Sequence, residues 1–424
     1  LGATIQTQTR VTGIELSPAR EVTGVVTDQG TIQCEIVINA AGMWAPRIAA
    51  MVDIVMPMVP VNHQHLTTLP MPALEFPPDT PVLRDRSNLI YARAEVKGLL
   101  LGGFETTPVA WSPEGVSWEQ SQQTLTPDYD QFETILEGAM QRIPALAEAE
   151  MGDLVNHPDA MTPDGYPCVG PSPDVRGFWG AAGLSLNGFG MGGGLGRILA
   201  NWIVHGETDI DLTPFDIRRF GRHYQDLDYV TERGRETYRY YYYLKFPHDD
   251  WEWGRPLRTS ALYERLKDQG VVFSEKNGFE RPSYFRPGQP WRQAGADQRN
   301  GWGWGEPAFR DAVGEEHRAT RERAALFDMS SFGKIDMEGP DALALLQRVA
   351  ANNVDQPVGR LVYTQFLNAR GGIESDLTIA RMGEQRFRII TGTSSLPIDL
   401  GWLRLYRSPD EDVAIEDVTE RYGC

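Results

Sequence analysis

Hydrophobic and polar positions recur with two periods along the first half of this chain, and they predict both strands and helices. Residues 21–42 contain two strand-like runs around a turn at 28–30, followed by a buried strand at 36–38. Residues 88–93 and 99–104 predict a hairpin, and the apolar positions from Phe132 to Ile143 predict an amphipathic helix that ends before Pro144. This order of elements indicates an α/β or α+β domain that reaches to about residue 215.

A glycine-rich segment, "NGFGMGGGLGR" at 187–197, lies between a predicted strand at 177–182 and apolar positions 195–203 with helical spacing. The helix is expected to stop at His205-Gly206. The segment contains G-x-G-x-x-G, but no second buried strand ending in an acid follows, as a dinucleotide fold requires. The residues alone leave three readings: a dinucleotide loop, a packing turn, or a loop that touches a cofactor held elsewhere.

The amino-acid composition of the chain changes after residue 215. Residues 216–273 are charged and rich in tyrosine, including four consecutive tyrosines at 240–243. A cation-binding aromatic box is compatible with them, but a connecting segment between two domains is the favoured interpretation. A Gly/Pro/Gln-rich loop follows, and then a new domain. Its pattern predicts helices at 315–326 and 341–349 and strands at 333–338, 362–367 and 386–391. We therefore divide the chain into domains at 1–215, 216–275 and 276–424.

Composition narrows the class of protein. Forty basic and 58 acidic residues give a formal charge of -18, which disfavours nucleic acid and anionic membranes as partners. The three cysteines show no metal-binding or disulfide spacing, which fits a reducing compartment. No apolar run is long enough to span a membrane. We expect a cytoplasmic protein, or a mitochondrial matrix protein if the source is eukaryotic.

Two histidines, His63 and His65, occupy alternate positions of an extended run and should face the same side of a strand. No third ligand is nearby, so we predict no metal site. One histidine acting as a base beside an aromatic residue such as Tyr91 is an alternative, as is a histidine with a purely structural hydrogen bond. In the last domain, Asp376 follows the turn Gly371-Gly372. It either points inward towards a cationic partner or lies on a solvated turn.

Several separated stretches together resemble one family, the flavin-dependent dimethylglycine and sarcosine dehydrogenases. They follow the family's order over almost the whole chain and are, in sequence order, "NAAGMWA", "PVNHQHLTT", "TPDGYPCVGPSPDVRGFW", "GGGLGRILANWIVHGE", "FDIRRF", "NGFERPSYF", "LFDMSSFGKIDMEGPDA" and "VYTQFLNARGGIESDLTIAR". The resemblance implies an FAD-dependent oxidoreductase domain, a short linking domain and a folate domain similar to the glycine-cleavage aminomethyltransferase. The chain is interpreted as an internal fragment, lacking the N-terminal ADP-binding part of the first domain and the C-terminal part of the last.

The resemblance also implies which residues bind FAD. Val11 matches a strand residue whose backbone lies against the adenine, and Ala41, Gly42 and Trp44 match a turn next to the cofactor. The glycine-rich segment matches the family's flavin-side loop through Asn187, Gly188, Phe189 and Gly190. Related amine oxidases often carry a basic residue there to bind the substrate carboxylate, and this chain has none in that stretch.

By the same resemblance, His63 and Tyr91 match the active-site histidine and tyrosine, while Tyr363 and Asp376 match the pterin-side tyrosine and the catalytic acid. The implied activity is oxidative demethylation of dimethylglycine or sarcosine, with the one-carbon unit passed to tetrahydrofolate. An electron-transfer flavoprotein is a possible partner. The alternatives are a folate-dependent aminomethyltransferase, a flavin enzyme acting on another secondary or tertiary amine, and a non-catalytic flavin-fold protein.

Overall fold

The computed structural model describes residues 2–72, 74, 77, 79–120, 123–243, 250–286 and 309–424. A three-stranded antiparallel sheet comes first, with strands β1 Val11–Leu16, β2 Val22–Thr27 and β3 Gly30–Gln33 in sequence order. It contains the predicted turn at 28–30, which is confirmed. A short strand, β4 Val37–Asn39, and a helix, α1 Ala45–Ala50, follow.

A second sheet joins β4 to two distant strands, β10 Cys168–Pro171 and β11 Phe178–Ala182, in the order β10-β11-β4. β4 runs parallel to β11. The prediction that 36–38 is a buried strand is wrong in its burial, because Ile36 is 42% and Ile38 44% exposed. β4 is the edge strand of this sheet, so only part of its surface is covered by neighbouring elements.

The central sheet of the first domain has five strands in the order β6-β7-β8-β5-β9. Their bounds are β5 Val59–Thr68, β6 Leu83–Asp85, β7 Ile90–Glu95, β8 Gly98–Gly103 and β9 Met151–Met161. The predicted hairpin is confirmed as β7 and β8. Helix α2, Tyr129–Arg142, begins at Asp128, whose side chain accepts a hydrogen bond from the Gln131 N–H. Its apolar side packs against β7 and β8, as the helical spacing predicted.

Helix α3, Gly188–His205, ends where the sequence predicts, at Gly206 in the left-handed conformation. The prediction of a glycine loop before it is wrong. Gly188 already belongs to the first helical turn, and the chain reverses earlier, at Ser185 and Leu186, which take φ values of 44° and 74°. The glycines therefore form an exposed helical surface rather than a turn.

The segment after residue 215 contains helix α4, Leu227–Arg239, then α5, Tyr263–Asp268, and a hairpin of β12, Val271–Lys276, with β13, Phe279–Phe285. Tyr238 and Tyr242 are buried against Val59, Phe104 and Met161 of the first domain. The tyrosine-rich segment therefore contributes to the core of the first domain and does more than connect two domains. Most of the Gly/Pro/Gln-rich loop lies outside the described residues.

The next described helix is α6, Arg310–Glu322, which starts and ends four or five residues before the predicted bounds. A five-stranded antiparallel sheet then follows in the order β15-β16-β17-β14-β18. Its elements are β14 Gly333–Glu338, α7 Ala342–Val349, β15 Leu361–Leu367, β16 Ile373–Arg381, β17 Arg386–Thr391, α8 Leu396–Tyr406 and β18 Ala414–Asp417. Helices α7 and α8 bury one face of the sheet in a single apolar core.

A buried ion pair connects the linking segment to the hairpin of β12 and β13. The Arg255 guanidinium donates to both Glu280 oxygens, at 2.8 and 2.6 Å, and the two side chains are 0% and 1% exposed. Arg255→Leu leaves the Glu280 carboxylate buried without its partner, so we expect a destabilisation of about 3–5 kcal/mol. Urea unfolding followed by tryptophan fluorescence measures it. The control is Arg421→Leu, which breaks an exposed pair with Glu416 and should destabilise the protein far less, because solvent screens this pair. Equal effects of the two substitutions would contradict this prediction.

Candidate active site

His63 lies in the middle of β5, partly buried, and both of its ring nitrogens contact a phenol. Nδ1 is 2.7 Å from the Tyr238 hydroxyl, and Nε2 is 3.0 Å from the Tyr91 hydroxyl. Tyr238 comes from α4 and Tyr91 from β7, so three separate parts of the chain meet at this imidazole. The structure thus brings together His63 and Tyr91, the two residues that the sequence predicts as an active-site pair.

A glycine lets Tyr91 reach His63. β8 lies between β7 and β5, and Gly102 of β8 pairs with Tyr91 on one side and His65 on the other. A Cβ atom at Gly102 would lie 2.3 Å from the Tyr91 hydroxyl oxygen. The phenol therefore crosses the intervening strand where no side chain blocks it.

The contact of Tyr238 with His63 extends to a buried carboxyl group. The Tyr238 hydroxyl donates to Glu105 Oε2 at 2.7 Å, and Glu105 is 2% exposed. Phe104 packs beside this chain, with its ring centroid 5.0 Å from His63 and 5.1 Å from Tyr238. Sequence reasoning missed Glu105, Tyr238 and Phe104. The available signal was an acid directly after the predicted apolar strand 99–104, together with the unexplained tyrosines.

Burial sets the protonation of these groups. It lowers the pKa of His63 to about 4, with smaller contributions from His65 and His157. Burial also raises the pKa of Glu105 to about 7 and that of the Tyr91 phenol above its usual range. At neutral pH the imidazole is therefore uncharged and retains a lone pair, which a proton acceptor needs.

Four of the residues predicted to bind FAD line one surface pocket of about 650 Å³. They are Val11, Ala41, Gly42 and Trp44, and Arg10 and Trp118 also contribute to the wall. Gly42 begins a short 3₁₀ helix with φ at 54°, and the Trp44 indole donates to the Ser117 carbonyl. Residues from a strand and a distant turn thus converge on the same concave surface.

The other four, Asn187 to Gly190, form the N-terminus of α3. Phe189 is fully exposed, and a Cβ atom at Gly188 or Gly190 would meet nothing within 4 Å. The free N–H groups of a helix N-terminus favour electron-rich groups, and the glycines let a flat ring system approach the backbone. These features, with the pocket at Gly42, fit the binding of FAD.

Asn187 is also connected, through Tyr241 and Phe104, to the side chains around His63. Tyr241 donates to Asn187 Oδ1 at 3.2 Å, and the Tyr241 ring lies 4.8 Å from Phe104. The Asn187 amide nitrogen donates to the Ser185 carbonyl. Each end of this amide therefore has one partner within the protein, and one of the two Nδ2–H donors is left over.

In the last domain, Tyr363 of β15 donates to Asp376 Oδ2 of β16 at 2.7 Å. The interpretation that Asp376 points inward is wrong. Ser375 and Leu377 are buried, and because side chains alternate along a strand, Asp376 lies on the exposed face. The hydrogen bond to Asp376 raises the pKa of Tyr363. The pair is open to a ligand that binds on this face of the sheet.

Two further observations concern the described residues only. Among them, no three histidine, cysteine, aspartate or glutamate side chains come close enough to hold a metal ion together. None of the helices formed by the described part of the chain has the length and apolar character needed to cross a membrane.

Comparison with protein families divides the chain into three consecutive parts. Residues 1–202 match the FAD dependent oxidoreductase family, residues 205–260 match the FAD dependent oxidoreductase central domain, and residues 262–424 match the GCVT N-terminal domain. The chain therefore consists of two consecutive parts of FAD dependent oxidoreductase families followed by a GCVT N-terminal domain. This agrees with the predicted fold class, an α/β domain plus an α+β domain, and with FAD and tetrahydrofolate as cofactors.

Individual relatives narrow the class further. The chain is 35% identical over 404 residues to human mitochondrial sarcosine dehydrogenase, covering 90% of this chain and 44% of that protein. It is 32% identical over 411 residues to mouse mitochondrial dimethylglycine dehydrogenase (94% and 46%). It is also 36% identical over 406 residues to the mouse mitochondrial pyruvate dehydrogenase phosphatase regulatory subunit (95% and 46%). The chain belongs to the dimethylglycine and sarcosine dehydrogenase family, and it spans about half the length of these relatives.

Gly102→Ala tests whether the position of Tyr91 matters. The new methyl group would overlap the phenol, which must swing away from His63. We expect amine-dependent flavin reduction by the full-length protein to fall by about 100-fold, since small misplacements near a reacting centre have effects of this size. Stopped-flow absorbance measures the rate.

The control for this substitution is Gly13→Ala in β1, where the nearest atom to the new Cβ is 3.6 Å away. It should leave the rate unchanged. If Gly102→Ala reduced flavin as fast as the control, the contact between Tyr91 and His63 would have no part in the reaction.

Proposed function

We propose that this protein catalyses the oxidative demethylation of an N-methylglycine, either dimethylglycine or sarcosine, and passes the one-carbon unit to tetrahydrofolate as 5,10-methylenetetrahydrofolate. The observation that carries this proposal is the neutral His63 held between the phenols of Tyr91 and Tyr238. The names of the sarcosine and dimethylglycine dehydrogenases among its relatives support the same chemistry.

Bound FAD would supply the acceptor for the hydride equivalent that leaves the N-methyl carbon of the substrate. Val11, Ala41, Gly42 and Trp44 would hold it on one side, and the N-terminus of α3 from Asn187 to Gly190 on the other. The task of the protein is then to bind the amine, to keep its nitrogen unprotonated and to exclude competing reactions.

Oxidation at the methyl carbon requires the amine as free base, because a protonated nitrogen has no lone pair to stabilise the developing iminium. His63 and Tyr91 favour the free base by orienting the amine and accepting its proton. An unprotonated imidazole is suited to this role, and burial keeps His63 in that form at neutral pH.

The resulting iminium either hydrolyses to formaldehyde or is attacked by a nitrogen of tetrahydrofolate. Tyr363 and Asp376 are proposed to contact the folate and to move protons in that second step. Their direct hydrogen bond and their exposure on one sheet face support this role. Joining both sites in one chain raises the effective concentration of the reactive one-carbon unit.

Two further parts of the proposal concern the cell. The electron acceptor of the reduced flavin is proposed to be an electron-transfer flavoprotein. The compartment is proposed to be the cytoplasm, or the mitochondrial matrix in a eukaryote. The word "mitochondrial" in the names of the relatives given above supports the second case.

A non-catalytic role is the second candidate, because one relative of comparable identity is named a regulatory subunit. Anaerobic titration of the full-length gene product with sarcosine, dimethylglycine and glycine separates the two. Bleaching of the flavin by one N-methylglycine and not by glycine supports the proposed enzyme and chooses its substrate. A yellow protein that none of these bleaches points to another amine or to the non-catalytic role, and a colourless protein leaves only a folate-dependent aminomethyltransferase.

His63→Ala should slow flavin reduction by about 10²–10⁴-fold, the usual contribution of a general base, while folate binding stays intact. Stopped-flow reduction and calorimetric titration with tetrahydrofolate measure the two properties. His65→Ala is the matched control, since His65 lies two residues along β5 but lacks the contacts with Tyr91 and Tyr238. Equal loss of reduction and folate binding in His63→Ala would indicate misfolding instead.

Asp376→Ala should leave amine oxidation intact and raise the release of free formaldehyde in the presence of tetrahydrofolate. The reason is that the iminium then hydrolyses instead of reacting with the folate nitrogen. A formaldehyde assay during turnover measures this partition. Asp355→Ala, at another exposed carboxylate of this domain, is the control. If formaldehyde release did not rise above the control, Asp376 would have no role in one-carbon transfer.

A further inference from the structure

Four side chains form a continuous chain of hydrogen bonds that runs inward from the proposed amine site. Tyr91 contacts His63 Nε2 at 3.0 Å, His63 Nδ1 contacts Tyr238 at 2.7 Å, and Tyr238 donates to Glu105 Oε2 at 2.7 Å. Tyr91 and His63 belong to the proposed chemistry. Glu105 and Tyr238 lie deeper, and the reaction as described above gives them no role.

The direction of this chain follows from counting protons. Each phenol has one proton to donate, and a neutral imidazole has one N–H and one acceptor nitrogen. Tyr238 gives its proton to the Glu105 carboxylate, so its oxygen must accept from His63 Nδ1–H. Nε2 then carries the lone pair of the ring and accepts from the Tyr91 hydroxyl. Tyr91 is left with oxygen lone pairs facing outward.

We propose that Glu105 is a positioning residue for the amine site. Acting through Tyr238, it fixes the proton of neutral His63 on Nδ1, so that Tyr91 presents an oxygen acceptor to the amine nitrogen of the substrate. This inference rests on the proposed function for the identity of the substrate. The direction of the hydrogen bonds is a property of the protein itself.

The surroundings of Glu105 favour this role. Its Oε1 atom is buried and has no hydrogen-bond partner among the described residues. Tyr238 is therefore the main contact that stabilises the carboxylate, ahead of the backbone N–H of Glu105 itself. Asp128, at the start of α2, is the neighbouring charge and further disfavours the ionised form. A carboxylate in these conditions takes up a proton near neutral pH, and its pKa is about 7.

Other titratable groups face the outer members of the chain. His65 and His157 lie beside His63 and disfavour its cationic form. Asp159, Tyr242 and Arg93 lie near Tyr91. Both ring nitrogens of His63 are taken by phenols, and none of these five groups is hydrogen-bonded to either nitrogen. The charge on Glu105, at the inner end of this series of hydrogen bonds, therefore decides in which direction the hydrogen bonds are donated.

The same series of hydrogen bonds provides a route along which the proton of a bound ammonium ion can be transferred. That proton passes to the Tyr91 oxygen while the Tyr91 proton moves to His63 Nε2. The Nδ1 proton of His63 moves to Tyr238, and the Tyr238 proton moves to Glu105. The net change is one proton transferred from the amine to the Glu105 carboxylate, with no oxidation or reduction, and His63 never needs to hold a positive charge.

The test measures the tautomer of His63 directly, without requiring turnover. Magic-angle-spinning ¹⁵N NMR on the full-length, flavin-loaded protein labelled at histidine distinguishes Nδ1–H, Nε2–H and imidazolium. The His63→Gln spectrum assigns the signal by subtraction. In the wild type above pH 7 we expect a neutral ring with the proton on Nδ1.

Two variants change the inner end of the chain. Tyr238→Phe removes the acceptor for Nδ1–H, so the proton of His63 should move to Nε2. Glu105→Gln replaces a group that only accepts with an amide that also donates, so the two tautomers should become mixed. Tyr242→Phe is the matched control, because this tyrosine packs in the same cluster but its hydroxyl lies outside the chain. It should keep the wild-type tautomer.

Stopped-flow flavin reduction by sarcosine or dimethylglycine, measured from pH 6 to 9, adds the functional result. In the wild type the rate should rise with pH through about 7, where Glu105 becomes ionised. Glu105→Gln should lose that inflection and react about 10²-fold more slowly. The substrate amine titrates identically for both proteins, so the difference between the two profiles reports on Glu105.

The outcomes separate the two proposals. An Nε2–H tautomer or an imidazolium in the wild type, or an unchanged Nδ1–H tautomer in both variants, would overturn the role of Glu105 whether or not amines reduce the flavin. A wild-type Nδ1–H tautomer that changes in both variants supports it. If no amine reduced the flavin of the wild-type protein, the proposed function would be overturned. The tautomer of His63 would still show the direction of the hydrogen bonds.

Discussion

The site of this protein depends on one constraint: an uncharged histidine is held inside a β-sheet by two phenols from different parts of the chain. Burial disfavours the cationic imidazole, and both ring nitrogens still need hydrogen-bond partners. Tyr91 reaches His63 only because Gly102 leaves the intervening strand without a side chain. Tyr238 reaches it only because α4 packs onto the same sheet. Either contact alone would leave one nitrogen without its phenol.

The linking segment is therefore part of the proposed amine site. Its helix α4 supplies Tyr238, and the tyrosines that follow pack on Phe104 and contact Asn187 at the start of α3. The N-terminus of α3, which fits the flavin side of the site, and the histidine cluster are thereby fixed relative to each other. The buried pair of Arg255 and Glu280 anchors the segment at its other end. A change in the linking segment is expected to affect the proposed amine oxidation as well as stability.

The two proposed reaction sites are built differently, and the difference matches their tasks. Around His63 the titratable groups are buried, so their proton affinities are shifted far from their ordinary values. Tyr363 and Asp376 lie on an open sheet face, where solvent screens charge and a large ligand has access. A small amine benefits from a closed, dry site in which its proton can be removed. A folate needs a broad surface and a few directed hydrogen bonds.

The sequence by itself determined most of the local structure. The hairpin at 88–104, the helix ending at His205 and the strand 333–338 follow from short-range periodicity and capping, which depend on neighbouring residues. Its motif order also determined the family. Only the tertiary structure decided that Asp376 faces outward, that the glycines at 188–190 are helical, and that Glu105 and Tyr238 join His63. These features depend on contacts between residues far apart in the chain, 133 positions in the case of Glu105 and Tyr238. No local pattern of hydrophobic and polar residues encodes such a contact, because it arises only when separate elements pack together.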